Sequence, residues 1–415
     1  MVNTKNLIKN SELDINFINE LSADEDAKTL FTCFECGMCT SSCPVAEQFP
    51  LAPHQMTHLS SFGAEKLILK DSILRFCLTC GICQEYCPQN IDFIEFIKLA
   101  RILLIKQGLE FEEPHDGILT IISKIQANRK LGMKIPSDLV PDGYKIAKKG
   151  KVAYFIGCLP ILNTVFDDIE MNSIEIAQNG IKILNKVLKD PPVIMENVKC
   201  CGHDVLWKGY FDVFKKLAEH NVKEINKLGI ETIITTCAEC YRTLKVDYPK
   251  YIKNVNFEVI HLSELIADKI KKDQLKFSEN KNIKVTYHDP CRLGRHMKVY
   301  EPPREILTNM KGNGIIFNEM ERSRENSSCC GVSCFLNCND LSRTMLIDRL
   351  KEAKNVADML ITTCPKCQTH FNCMLHEKKE KKSDEIDIKI SDLTNLIAIL
   401  MGLSEKELKK EEESE

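Results

Sequence analysis

Two adjacent cysteines followed by a glycine occur twice in this chain, as Cys200-Cys201-Gly202 in VKCCGHD and as Cys329-Cys330-Gly331 in SSCCGVSC. Neighbouring thiols make a poor disulfide with each other, because a bridge needs Cα atoms roughly 4.4–6.8 Å apart with converging Cβ vectors. Zinc sites usually space paired ligands by two to four residues. The triplet belongs to a longer duplication. KVAYFIGC (151–158) corresponds to IKVTYHDPC (283–291), and IITTCAECYRTL (233–244) to LITTCPKCQTHF (360–371). The offset is about 130 residues, the size of a domain. Each copy opens on an apolar, β-like run that ends in a cysteine. Helix-like runs such as FDVFKKLAEHNVKEINKLG and DLSRTMLIDRLKEAKNVADM lie between the motifs. Strands that end in turns and alternate with helices predict two similar α/β domains with ligands at the strand ends.

Each repeat supplies five cysteines: Cys158, Cys200, Cys201, Cys237 and Cys240 in the first, Cys291, Cys329, Cys330, Cys364 and Cys367 in the second. A tetrahedral zinc site uses four ligands, which leaves the fifth unexplained. Soft thiolates in this number suit iron and sulfide. Adjacent cysteines can bind neighbouring irons of one cluster or bridge two, and the glycine allows close backbone approach. The chain holds 21 cysteines among 415 residues. The opening MVNTKNLIKNSELDINF has no apolar run of the length of a secretory signal. A cysteine-rich chain in a reducing cytoplasm is expected to be a metal or redox protein rather than a disulfide scaffold. The net charge of −3 argues against nucleic acid as a partner. No apolar stretch reaches the roughly 20 residues of a membrane span, and no G-x-G-x-x-G nucleotide fingerprint is present.

The N-terminal block carries CFECGMCTSSCP, with Cys33, Cys36, Cys39 and Cys43, and CLTCGICQEYCP, with Cys77, Cys80, Cys83 and Cys87. Both resemble the C-x2-C-x2-C-x3-C-P run of bacterial two-cluster ferredoxins, in which the fourth thiolate ligates the other cluster. That resemblance implies one [4Fe-4S] cluster on Cys33, Cys36, Cys39 and Cys87, and a second on Cys77, Cys80, Cys83 and Cys43. Gly37 and Gly81 would let the backbone pass close to the sulfides. The spacer LAPHQMTHLSSFGAEKLILKDSILRF reads mostly as helix, which points to an all-helical form of the module. IDFIEFIKLARILLIKQGLEF reads as a long amphipathic helix.

With these motifs in hand, the two repeats resemble the paired cysteine-rich CCG domains of the catalytic subunit of heterodisulfide reductase. The N-terminal block, with CGMCTSSCPVAEQF and PHQM, resembles that enzyme's dicluster electron-transfer subunit. Their order on one chain resembles the fused form, the D-subunit family of heterodisulfide reductase, over residues 31 to about 375. The resemblance implies a helical dicluster ferredoxin domain over 1–110, a connector over 111–150, CCG domains over 151–275 and 276–400, and a charged tail over 401–415. It also implies two cubane clusters and, on each set of five cysteines, a noncubane [4Fe-4S] cluster. The coenzyme M–coenzyme B heterodisulfide would be cleaved between the two noncubane clusters, each supplying one electron. Iron–sulfur subunits of glycolate, lactate and glycerol-3-phosphate dehydrogenases use CCG domains but often lack a full Cys-x-x-Cys. All ten positions are filled here, which favours the disulfide-reducing branch, and with it methanogenesis. The implied partner is an electron-donating flavoprotein or cytochrome b subunit in a hetero-oligomer. The expected place is the cytoplasm, at the inner membrane face where a partner holds it.

YHDPCRLGRHMKVY adds His288, Arg292, Arg295 and Lys298 around Cys291. The implied substrate carries sulfonate, carboxylate and phosphate groups, which suit Arg forks and Lys point charges. The same cations could instead serve a helix start or the cluster's own charge. His288 and His203 each have two readings, as proton donor to a departing thiolate or as hydrogen-bond partner of cluster sulfur. Cys334 and Cys338 would share a helical face if a helix begins there. With Cys373 they read as small buried hydrophobes. An electron-relay subunit with no substrate of its own is the alternative function, and a reductase of a protein-borne disulfide or trisulfide is a third.

Overall fold

The computed structural model describes residues 13–48, 51–70, 74–128, 139–169, 171–380 and 386–404. Residues 129–138 of the expected connector and 405–415 of the expected tail lie outside the described residues. The chain divides into two compact units. The first is the N-terminal part to Ile121, together with two segments that return to it from later in the sequence, Asp204–Asp212 and Gly331–Leu341. The second is Ile122–His203, Val213–Cys330 and the chain from Ser342 onward.

The first unit is helical among its described residues. Helices Ile15–Ala23, Pro53–Ser61 and Phe93–Lys106 frame it, and each cysteine run adds one short turn, Met38–Ser41 or Ile82–Glu85. Helix Phe93–Lys106 starts where the Asp92 carboxylate accepts the Glu95 amide at 3.2 Å. It differs from the amphipathic helix read from the sequence, because its polar residues are inside. Glu95, Lys98 and Arg101 are buried with the apolar ones, and Lys98 pairs with Glu95 one turn away. This is a central helix of the unit, solvated only at its end. The expected connector carries a helix of its own, Ile118–Ala127. In the returning segment no helix begins at Cys334. Cys334 and Phe335 both have positive φ, 42° and 55°, and the next helix begins at Asp340. Two successive left-handed residues turn the chain and separate Cys334 from Cys338, so the two share no helical face.

The second unit holds the duplication. Its first sheet is formed by β1 (Val152–Tyr154), β2 (Val193–Ile194), β3 (Thr232–Thr235) and β4 (Glu258–His261), in the order β2-β1-β3-β4. Its second contains β5 (Ile283–Tyr287), β6 (Ile315–Phe317), β7 (Met359–Thr362) and β8 (Lys389–Asp392), in the order β6-β5-β7-β8. Every pairing is parallel. The two central strands of each sheet are mostly apolar because helices cover a parallel sheet on its faces. The order reverses between β1 and β3, and between β5 and β7, and an open parallel sheet binds its ligand at the carboxyl ends flanking such a switch point. Each copy pins the same corner with one tyrosine: Tyr154 Oη lies 3.1 Å from Thr236 Oγ1, and Tyr287 Oη 2.8 Å from Thr363 Oγ1. The repeats meet through buried Asn179, whose amide donates to Asn395 Oδ1 at 2.9 Å.

Asp392 ends β8 and caps helix Leu393–Leu400, its Oδ1 accepting the Thr394 amide at 2.8 Å. Its Oδ2 is buried without a hydrogen-bond partner among the described residues. Burial, opposed by the Thr394 hydrogen bonds, pushes this carboxyl up to about 7. A carboxyl raised on folding holds its proton longer in the folded than in the unfolded chain, so stability falls as pH rises between the two values. Asp392→Asn keeps the cap and removes the charge. Its stability should exceed that of the parent near pH 8 by an amount on the order of a few kcal/mol, read as a higher thermal midpoint, and the difference should fade toward about pH 4. Thermal unfolding of both chains across that range is the check.

Candidate metal centres

In the first unit the two cysteine runs interleave. Burial pushes the Cys39 thiol up, and among the groups acting on it are Cys33, Cys87 and Cys36. Burial pushes Cys43 up to about 12, and the thiols acting on it are Cys80, Cys77 and Cys39. Cys83 is raised by burial and then by Cys77, Cys80 and Cys43. The fourth cysteine of each run thus sits with the first three of the other. A small cavity is lined by Cys33, Cys36, Cys39, Cys83 and Cys87, with His54 and Phe93 among its walls. Desolvated thiols that raise one another's pKa favour a soft cation that can turn them into thiolates. This donor set fits iron–sulfur clusters.

In the second unit all ten cysteines of the repeats lie beyond the carboxyl ends of their strands. Cys158 follows β1, Cys200 and Cys201 follow β2, and Cys237 and Cys240 follow β3. Hydrogen bonds link the first set in the sequence Cys158, Cys200, Cys201, Cys240 and Cys237, with Cys240 Sγ 3.5 Å from Cys201 Sγ. The second set repeats it as Cys291, Cys329, Cys330, Cys367 and Cys364, with Cys367 Sγ 3.4 Å from Cys330 Sγ. All are free thiols. Five sulfurs joined neighbour to neighbour exceed what zinc uses and fit an iron–sulfur group. The triplet glycine has a physical reason: Gly202 and Gly331 have φ of 84° and 80°. At Gly202 a Cβ would also lie 2.9 Å from the Phe214 ring. The first triplet is braced further. Gln126 Oε1 accepts the Cys200 amide at 2.8 Å, Asn221 donates to Cys200 O at 3.2 Å, and Tyr248 Oη donates to Cys201 O at 3.1 Å.

The repeats diverge in what surrounds the sulfur. Cys158, Cys201 and Cys240 are all raised, by hydrogen bonds from neighbouring thiols and by burial. In the second set Cys329, Cys364 and Cys367 are raised as well, but Cys291 falls to about 6, through its hydrogen bond with Cys329 and then the charges of Arg292 and Arg295, against burial. Cys330 falls well below its usual range through Cys329 and Cys367, with His288 and His370 adding to the effect. His288 is buried, and burial lowers its own pKa. Arg349 Nε donates to His288 Nδ1 at 3.2 Å, which leaves the imidazole hydrogen on Nε2. The position corresponding to His288 in the first repeat is Phe155.

Buried polar groups join the two sets. Arg292 Nε donates to His203 Nε2 at 2.8 Å, and His203 Nδ1 faces Glu239 Oε2 at 3.4 Å. Glu239 also pairs with Lys366, and the Ala238 amide donates to Thr363 O at 3.2 Å. Cys364 feels the charge of Glu239 and Cys237, and Cys158 that of Lys366. Of the cations expected around Cys291, Arg292 and Arg295 are buried. Arg292 is bonded to His203 and His296; Arg295 Nη1 donates to Glu325 O at 3.1 Å and Ser327 O at 2.6 Å. Lys298 is exposed. The helix after this loop, Glu301–Asn309, starts well beyond both arginines, so neither caps it. Cys334 is buried, Cys338 exposed and Cys373 half-buried. Sequence reasoning missed Glu239, Lys366, Arg349 and His370. The first two were open to it, since they fill corresponding places inside the two Cys-x-x-Cys motifs with opposite charge. Arg349, on helix Asp340–Lys354, carries no local signal.

Comparison with known proteins matches a cysteine-rich domain family, CCG, at residues 152–245 and 285–372, and a 4Fe-4S dicluster domain at residues 29–91. The chain is 31% identical over 405 residues to the D subunit of dihydromethanophenazine:CoB–CoM heterodisulfide reductase from Methanosarcina acetivorans, covering 90% of this chain and 95% of that one. It is 30% identical to the D subunit of the same reductase from Methanosarcina mazei, covering 91% and 95%. To the B subunit of fumarate reductase (CoM/CoB) from Methanothermobacter marburgensis it is 30% identical, covering 90% and 73%.

Gly202→Ala tests the triplet geometry without any metal. The left-handed backbone costs a residue with a Cβ about 1–2 kcal/mol, and the Phe214 contact adds to it. The metal-free variant should unfold at lower denaturant than the parent, by at least that amount, in equilibrium denaturation.

Proposed function

The chain belongs to the D-subunit family of heterodisulfide reductase, a family of iron–sulfur oxidoreductases, and we propose that it reduces a disulfide between the two five-cysteine centres, with the coenzyme M–coenzyme B heterodisulfide as substrate. The observation that carries this reading is the pair of equivalent five-thiol sets at two sheet ends, bridged by His203, Glu239, Lys366 and Arg292. In this reading Cys33, Cys36, Cys39 and Cys87 hold one cubane cluster, Cys43, Cys77, Cys80 and Cys83 the other, and the ten repeat cysteines two noncubane clusters. Bound clusters would supply electrons singly, so two of them flanking one S–S bond could each deliver one of the two electrons its cleavage takes. The overall change consumes two electrons and two protons and yields two thiols.

The chain's own residues set the surroundings. Arg292 and Arg295 favour thiolate at Cys291, and Arg295 holds Ser327, two residues before Cys329, in place. His288 donates from Nε2 toward Cys330, a role for a neutral imidazole rather than for a proton donor. His203 accepts from Arg292 and is likewise committed, its Nδ1 hydrogen facing Glu239. Lys298 is the exposed cation of the group, and the one proposed to meet the substrate's anionic groups. Electrons come from a partner of the flavoprotein or cytochrome b class. Among the described residues no helix is long and apolar enough to cross a membrane, so membrane contact would come through that partner.

The similarity to a component of fumarate reductase (CoM/CoB) supports a second reading, in which the same centre runs toward thiol oxidation. A pure electron relay differs from both. Oxidised holoenzyme treated with one thiol of the heterodisulfide should develop a paramagnetic cluster signal that an unrelated thiol does not elicit. A silent spectrum with either thiol would favour the relay. Iron should approach about sixteen per chain, four clusters of about four; about eight irons with zinc would sink the noncubane assignment.

A further inference from the structure

Arg101, on helix Phe93–Lys106, is fully buried in the first unit, 0% exposed. Its Nε and Nη2 donate to Leu74 O at 3.2 and 2.8 Å, and Nη2 also donates to Cys77 O at 2.7 Å. Nη1 donates to Trp207 O at 2.8 Å and lies 3.8 Å from Cys334 Sγ. These partners are three neutral carbonyls and one sulfur. The neighbouring buried cations are matched differently. Lys98 pairs with Glu95 and lies 4.9 Å above the Trp207 ring, and Lys208 pairs with Glu113 and donates to Thr120 Oγ1 at 2.9 Å. Among the described residues no carboxylate pairs with Arg101. Cys334 does not take that place, because burial, and then the charge of Asp204, raise its thiol against the pull of Arg101 and Lys208. A buried ion without a counter-charge is strongly destabilising, so a charge of opposite sign is wanted beside this guanidinium.

The guanidinium is bonded to the carbonyl of Cys77, a member of the second four-cysteine set, and four thiolates outweigh the positive charge of an iron–sulfur core. The two segments it reaches are those that follow the two Cys-Cys-Gly triplets, through Trp207 and Cys334. A second link runs beside it, Thr79 Oγ1 lying 2.8 Å from Ser333 Oγ, with Thr79 between Cys77 and Cys80. We propose that Arg101 is a positioning residue that supplies the counter-charge of the cluster held by Cys43, Cys77, Cys80 and Cys83, raises that cluster's reduction potential, and ties its loop to both segments that follow the triplets. The inference rests on the ligand assignment of the proposed function. A fixed cation stabilises the reduced, more negative form, so the electron is favoured on the cluster whose loop is bonded to those segments.

The test is a redox titration of the reconstituted full chain followed by electron paramagnetic resonance. Arg101→Gln keeps hydrogen-bond donors and removes the charge; it should lower the midpoint potential of one cubane signal and leave the other in place. Cys36→Ser, at an exposed ligand of the other set, identifies which signal that is, since the Arg101-dependent signal should survive in it. Arg101→Lys, which keeps the charge, should hold most of the potential, and Cys334→Ala should leave both signals where they are. Unshifted potentials in an Arg101→Gln chain with full iron would overturn the proposal. So would an equal shift of both signals, or a shift in Cys334→Ala as large as in Arg101→Gln. Should Arg101→Gln fail to take up iron, Arg101→Lys decides, and a potential lowered in that charged variant counts against it. Both cubane signals persisting unchanged in Cys36→Ser would show instead that the ligand assignment is wrong, whatever Arg101 does.

Discussion

Buried sulfur next to buried sulfur is the interaction around which this protein is built. Five thiols at each sheet end are joined in a chain of hydrogen bonds, and two sets of four interleave in the helical unit. Desolvation opposes the charge on a buried thiol, and neighbouring thiolates would repel. Such clusters hold together as neutral thiols only by leaving soft donors facing one another, and a thiophilic cation converts that cost into bonds. The rest of the fold serves to hold sulfur in these places: left-handed glycines at both triplets, a parallel sheet whose switch point gathers three loops, and tyrosine–threonine pairs that fix each corner.

Duplication made the two sheet-end centres equivalent in sulfur and left them unlike in charge. The backbone delivers the same five cysteines from the same strands, because topology alone fixes where loops of a parallel sheet converge. What surrounds them depends on side chains that the duplication has not kept. Phe155 stands where His288 does in the second copy, and Arg292, Arg295 and Arg349 have converged on the second set from a loop and a distant helix. The second centre is therefore the better place for negative charge, which distinguishes the two ends of any bond held between them.

The polar bridge between the sets shows how charge can be buried without being isolated. Arg292, His203, Glu239 and Lys366 alternate donor and acceptor, so that Glu239 faces Lys366 on one side and, on the other, the histidine that accepts from Arg292. Arg101 is the exception in the helical unit, bonded only to neutral groups. That contrast makes the anion it lacks informative.

The sequence by itself determined the sulfur. Spacing marked all eighteen candidate ligands, the duplicated α/β architecture and the helical character of the first unit, because each is a local pattern of residue types; the interleaving of the two N-terminal runs came from their resemblance to two-cluster ferredoxins. It also placed His288, Arg292 and His203 near the thiols, being adjacent to them in the chain. Only the tertiary structure decided that helix Phe93–Lys106 is central rather than amphipathic, that Arg292 and Arg295 are engaged within the protein, and that Cys334 and Cys338 part company at a left-handed turn. It alone brought Arg349 to His288, Lys366 to Glu239, and the segments after both triplets back to Arg101. Those contacts join residues from about 60 to more than 200 positions apart. No periodicity or spacing records them, because long-range packing and the pairing of buried charge are settled only when the whole chain has closed.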